Sequence, residues 1–203
     1  MIQSIPSTNA RRARARGFVT IALVLFPIAA QAHPGHGANG FGSGMSHPFS
    51  GLDHILAMIA VGLWAVQTGG RARWCLPLAF VVAMIAGSLA GMAHAPLPFV
   101  EHGILASVVI LGALLASATR LPLVASIVAC GVFSMFHGYA HGAEMSASVS
   151  AWSYNAGFAV ATMLLHGTGM GAALIVDRFA RLQCLRAAGA AIALAGLLLV
   201  FIA

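Results

Sequence analysis

Six apolar segments follow one another after residue 50, near 51–68, 74–93, 100–119, 121–137, 151–176 and 186–203. Most approach the ~17–25 residues that a helix needs to cross a bilayer. Hydrophobic residues make up 60% of the 203-residue chain and charged ones only 7%, which excludes disorder and argues against a soluble domain. Backbone polar groups at membrane depth must be satisfied within the chain, so segments of this length read as helices. The expected fold is all-α: a polytopic membrane helix bundle of about six transmembrane helices after a cleavable signal peptide.

Lys is absent, and the ten basic residues are all Arg. Arg71 and Arg73 lie between spans one and two, Arg120 between three and four, and Arg178, Arg181 and Arg186 between five and six. One side of the bundle therefore carries every Arg after residue 16, and the positive-inside rule makes that side cytoplasmic. Arg11, Arg12, Arg14 and Arg16 precede a short apolar run, 17–30, closed by Ala30-Gln31-Ala32. That is the pattern of a secretory signal cut after Ala32. Three parts are expected: a signal peptide over 1–32, a His/Gly-rich periplasmic N-terminal segment over 33–50, and a transmembrane helical domain over 51–203. The location implied is a bacterial cytoplasmic (inner) membrane, with lipid around the bundle and the mature N-terminus periplasmic.

Without the N-terminal Arg cluster, six Arg face four acids, which leaves no basic patch for nucleic acid. Cys75, Cys130 and Cys184 form no CxxC, so neither a disulfide framework nor a thiolate metal site is expected. Gly87-x-x-x-Gly91 suits close helix packing, within one chain or in a homo-oligomer.

Polar chemistry gathers on the outer side. Eight of nine His and three of four acids fall there. The first cluster, His47-Pro48-Phe49-Ser50-Gly51-Leu52-Asp53-His54, opens span one. The second, Phe136-His137-Gly138-Tyr139-Ala140-His141-Gly142-Ala143-Glu144, closes span four. His137 and His141 are four apart and share a helix face, with Glu144 three further on. Imidazole with carboxylate suits a divalent first-row metal. Ionisable groups at membrane depth are costly, which favours a functional reading over an incidental one. Asp53 and His54 are adjacent and point about 100° apart on a helix. They meet one ion only at a distorted helix start; otherwise Asp53 orients His54 through its other ring nitrogen. Asp53 can equally be a charge suited to a helix N-terminus, Ser50 an N-cap, and Met58, one turn below His54, a packing residue.

His33 and His36 would stand at the mature N-terminus. With the Gly-rich stretch 35–44 they read as a flexible capture arm or as a plain linker. His94, Glu101 and His102 flank the Pro96/Pro98 turn and either complete the outer site or are interfacial. His166 lies about 15 residues into span five, roughly 22 Å down at ~1.5 Å per residue. The stretch Gly167-Thr168-Gly169-Met170-Gly171 beside it can unwind or pack tightly, and His166 reads as an inner step for an ion.

With both clusters in hand, the chain resembles the HupE/UreJ family of nickel and cobalt permeases. The resemblance rests on His47, Asp53 and His54 as H-x5-D-H, on Phe136 to Glu144 as F-H-G-x-A-H-G-x-E, and on the first span from Asp53 to Ala65. It implies secondary transport of Ni²⁺ or Co²⁺, serving maturation of an enzyme such as hydrogenase or urease, or cobalamin synthesis. It also implies that His47, Asp53, His54, Phe136, His137, His141 and Glu144 are essential. The ion is substrate; no cofactor is expected.

The mechanism expected is partial dehydration of a divalent ion at the outer carboxylate–imidazole cluster, then passage between spans one, four and five. Imidazole competes with protons for metal, so uptake should weaken in acid. No G-x-x-x-x-G-K-[ST] motif is present, and the inside-negative potential supplies about 2.3 kcal/mol per charge per 100 mV. Two rivals stand. One is a metal-dependent intramembrane hydrolase, with His54, His137 and His141 holding zinc and Glu144 or Asp53 activating water; H-E-x-x-H and G-x-S-x-G are absent. The other is a periplasm-facing metal sensor or chaperone that binds without moving ions.

Overall fold

The computed structural model describes residues 40–145, 149–179 and 182–202. The expected signal peptide, His33, His36 and Arg181 lie outside the described residues, as do the side chains of Asp177 and Arg178.

Every described element is helical. A short helix α1 (Gly40–Ser46) runs into a 3-10 turn (His47–Phe49), followed by α2 (Leu52–Thr68), α3 (Ala72–Met92), α4 (Val100–Ser117), α5 (Leu123–Ala143), α6 (Ala151–Phe179) and α7 (Leu182–Ile202). Five of these, α3 to α7, are long and apolar enough to cross a membrane. The sixth candidate span is a broken one: the α1 segment and α2 meet at an angle of 83°. Among the described residues the protein is thus an all-helical membrane protein of five candidate spans, or six when the bent pair counts as one.

Local chemistry sets the boundaries. Gly51 precedes α2 in an extended conformation, and Gly69 ends it at φ +75°, which a side chain would disfavour. Pro122 stands just before α5, where its missing N–H costs nothing. At the far end of α4, Arg186 donates from Nε to the Ala116 carbonyl (2.8 Å) and Gln67 donates to that of Leu115 (3.0 Å). These bonds satisfy carbonyls that a helix C-terminus leaves open.

α2 is the centre of the bundle. Ala57, Met58, Ala60, Val61, Trp64 and Ala65 are fully buried, so the helix is enclosed on all sides. It packs on α3, α4 and α6; α3 lies along α5, α4 along α7, and α1 along α6. Met58 is therefore core packing. Val124, Val128, Val132 and Met135 form an exposed stripe on α5, the composition of a face turned to lipid. Trp74 at one end of the bundle and Phe99 and Trp152 at the other are exposed, as interfacial aromatics are.

The α3–α5 contact is made by small residues. A Cβ on Gly138 or Gly142 would overlap the backbone oxygen of Met84 or Ser88, and one on Gly87 or Gly91 would overlap that of Met135 or Tyr139. The Gly87-x-x-x-Gly91 pair is thus used within the chain. His137 and His141 directly precede Gly138 and Gly142, so this backbone-to-backbone approach presses both imidazoles into the interior.

Two local expectations change, and one alternative is decided. Span four does not stop at His137: α5 continues to Ala143, because α3 holds Gly138 and Gly142. Part of the Gly-rich stretch, expected to be flexible, is helical from Gly40. Gly lowers helix propensity by about 1 kcal/mol per residue. Packing offsets this, since Gly44 sits against the Tyr154 carbonyl and Gly157 against that of Phe41. Of the two courses open to the Gly167–Gly171 region, tight packing is the one taken: α6 is continuous, and Gly169 fits against the Ile59 carbonyl of α2.

Candidate metal site

The docking of α1 on α6 delivers His47 to the end of α5. Pro48 is buried under the turn, and Ser50 closes it by donating from Oγ to the His47 carbonyl (2.6 Å). Ser50 is therefore not the N-cap of α2; Gly51 holds that position. His47 Nε2 lies 3.4 Å from Glu144 Oε2, and its ring centroid lies 4.3 Å from that of His141. One ligand atom from each of His47, His141 and Glu144 falls within 4.8 Å of the others. Donors at ~2.1 Å from a common ion sit up to ~4.2 Å apart, so small side-chain rotations bring the three onto one cation. Among the described residues no other group of three His, Cys, Asp or Glu donors comes so close.

The remaining sequence-predicted ligands continue inward as a column. The His54 ring lies 4.3 Å from that of His141 and 4.6 Å from that of His137. Phe80 of α3 follows, 5.9 Å from His137 and 5.0 Å from His166. Exposure is confined to the outer end of that line. The side chains of Glu144 and His47 are 65% and 29% exposed, whereas His54, His141, His137 and His166 are buried, at 8%, 4%, 0% and 1% exposed. Phe158 packs edge-on against His141 (4.5 Å), and Tyr154 stands 5.9 Å from His47.

Hydrogen bonding decides which nitrogens are free. Asp53 Oδ1 accepts from the backbone N–H of His54 (2.8 Å) and contacts its ring Nδ1 (2.9 Å). A carboxylate can only accept, so Nδ1 carries the proton and Nε2 presents its lone pair. Asp53 is thus the orienting partner of His54, one of the two readings the adjacency allowed. Buried His54 Nε2, His137 Nδ1 and both ring nitrogens of His141 and His166 have no hydrogen-bond partner among the described residues. Leaving buried imidazole nitrogens unsatisfied is costly, and such a group calls for an explanation. A cation is a candidate partner, because each neutral ring can offer it one lone pair.

The electrostatics are one-sided. Asp53 and Glu144 lie at this end, whereas Arg71, Arg73, Arg120 and Arg186 lie in or beside the connections at the opposite end. No described Arg competes with a cation for the two carboxylates.

Compared with known proteins, the chain matches the model of the HupE / UreJ protein family over residues 21–199. The chain belongs to the HupE/UreJ family. Protein HupE of Rhizobium leguminosarum bv. viciae is 44% identical over 177 residues, covering 87% of this chain and 93% of that relative. No solved structure matches. The family is associated with nickel and cobalt transport.

Not every residue singled out in the sequence joins the column. The Phe136 ring covers Gly103 of α4 and packs two helices together. His94, Glu101 and His102 are exposed around the α3–α4 connection, outside the close trio; His102 contacts Phe99 (6.0 Å between ring centroids). Other residues were not legible as site components. Phe80 and Phe158 read as ordinary apolar residues of their spans. Ser107, whose Oγ lies 2.8 Å from His137 Nε2, reads as a small packing residue. The polar run Trp152-Ser153-Tyr154-Asn155 at the start of α6 was the one visible signal for Tyr154.

Proposed function

We propose that this protein is a secondary permease that moves a divalent transition metal, nickel or cobalt, inward across the bacterial cytoplasmic membrane. The observation that carries the reading is the column of buried imidazoles with unpartnered nitrogens, leading from the exposed His47–Glu144 pair to His166. Glu144, His47 and His141 form the outer site, where carboxylate and imidazole replace part of the hydration shell of the ion. His54 and His137 accept it next. The α3 helix then joins the pathway through Phe80, a contribution absent from the expected route between spans one, four and five. His166 is the inner step.

The end bearing the histidines faces the periplasm and the end bearing the arginines faces the cytoplasm, in keeping with the positive-inside rule. A membrane potential of 100 mV then favours entry of a divalent ion by about 4.6 kcal/mol, at ~2.3 kcal/mol per charge. His33 and His36 would serve as a capture arm ahead of the outer site.

The test is metal flux into proteoliposomes holding a metal-sensitive dye, with nickel, cobalt, copper and zinc supplied in turn. Potential-dependent entry of nickel or cobalt, lost in His141→Ala, is the expected result. Binding without flux would turn the reading to a sensor or chaperone. Hydrolysis of a lipid or peptide without flux would turn it to an enzyme.

A further inference from the structure

Two of the buried histidines are held by their protein neighbours in opposite ways. His54 is gripped at Nδ1 by Asp53, from within its own helix. His137 is gripped at Nε2 by Ser107, across the α4–α5 contact. Ser107 Oγ lies 2.8 Å from that nitrogen and 2.6 Å from the Ile104 carbonyl oxygen of the preceding turn. Ser107 and His137 are both fully buried.

A serine hydroxyl has one proton and two acceptor lone pairs. The Ile104 oxygen can only accept, and at 2.6 Å it takes the hydroxyl proton; two oxygens so close with no proton between them would repel. Ser107 Oγ must then accept from His137, so the neutral ring carries its proton on Nε2. The other tautomer would set two acceptors against each other at Nε2. It would also leave a buried N–H at Nδ1, an atom with no partner among the described residues. Each fault is costly in a buried site, where no water makes up the lost bond.

We infer that Ser107 is a positioning residue: it holds His137 in the Nε2–H tautomer, so that Nδ1 is the atom offered to the metal. The inference rests on the transport reading for the role of that nitrogen, while the tautomer itself is a property of the protein alone. His54 therefore offers Nε2 and His137 offers Nδ1. Ser107 does for His137 what Asp53 does for His54, but with a neutral partner. The α4 helix thereby belongs to the pathway although it places no ligand on it. Partners of this kind, which orient a ligating imidazole, typically alter metal affinity or activity by about 10–100-fold when lost.

The experiment uses the full chain in lipid nanodiscs with isotopically labelled histidine. Nitrogen NMR shifts report which ring atom is protonated, and the His137 signals are assigned by their absence in His137→Gln. Nickel affinity is measured on the same samples, and flux in proteoliposomes. In the native protein His137 should show a proton on Nε2. In Ser107→Ala the ring should populate both tautomers, with nickel affinity about 10-fold weaker at unchanged protein yield. Ser107→Thr keeps the hydroxyl and should restore both readings; if its extra methyl prevents folding, the tautomer and affinity of Ser107→Ala decide alone.

A native Nδ1–H tautomer overturns the inference. So does an unchanged tautomer in Ser107→Ala, whatever the nickel affinity, and so does a shifted tautomer with native affinity. Equal losses in folded Ala and Thr variants would make Ser107 a packing residue only. If the native protein moves no metal, the transport reading fails, while the tautomer and affinity measurements still judge Ser107.

Discussion

A single carboxylate oxygen of Asp53 accepts from both the backbone N–H and the ring Nδ1 of His54, at 2.8 and 2.9 Å. The two bonds close a small ring at the first turn of α2. They lock the imidazole orientation and leave Nε2 buried beside His137 and His141, with no hydrogen-bond partner among the described residues. Removing the carboxylate should free the ring without emptying the core. Asp53→Ala is expected to weaken metal uptake by about 10–100-fold while protein yield holds. Asp53→Asn, which retains an acceptor oxygen, should fall between the two. Uptake against metal concentration checks both, and native uptake in Asp53→Ala would show that His54 needs no orienting partner.

His47 and Glu144 stand near the two ends of the described stretch 40–145 and meet at 3.4 Å. If they hold one ion, their contributions cannot add. His47→Ala and Glu144→Ala should each reduce nickel affinity, and the double variant should lose less than the sum, with a coupling of about 0.5–3 kcal/mol. Titration of the four proteins with nickel measures it. Strict additivity would place the two side chains on different steps.

His166 lies beyond Phe80 from the outer trio, so capture and passage should separate. In His166→Ala, nickel binding at the outer site should stay near native while flux falls about 10-fold or more, the scale of losing one ligand-orienting contact. His141→Ala should lose both. Equal losses of binding and flux in His166→Ala would instead tie His166 to the outer site or to folding.

The glycines at the α3–α5 contact give a stability prediction independent of metal. Gly138→Ala places a Cβ on the Met84 backbone and should destabilise the protein by about 1–3 kcal/mol. Gly167→Ala meets nothing within 4 Å and should be neutral or stabilising by up to about 1 kcal/mol, since Ala is the better helix former. Thermal unfolding in detergent compares them; equal melting temperatures would mean that α3 and α5 do not pack through Gly138.

Much of the fold was legible because its signals are local. Segment hydropathy marked α3 to α7 within a few residues, and Gly69 and Pro122 mark two of the ends. The Gly40–Ser46 helix was not legible, since its own propensity is poor and only contact with α6 makes it helical. The broken start of the first span follows from that contact. Likewise the extension of α5 past His137 depends on α3, which no window along α5 contains.

For the candidate site, residue types and their order along the chain were enough for the inventory: which residues could ligate a metal, and that nearly all gather at the end opposite the arginines. Charge and hydropathy act along the chain, so sidedness can be read from it. Only the tertiary structure decided the grouping. His47 pairs with Glu144 and His141, His54 and His137 continue inward, Phe80 separates them from His166, and Ser107 reaches His137 from α4. Which atoms of different helices meet depends on how those helices rotate and press together, and here backbone contacts at glycine settle that. A residue such as Ser107 looks the same in sequence whether it fills space or holds a proton in place.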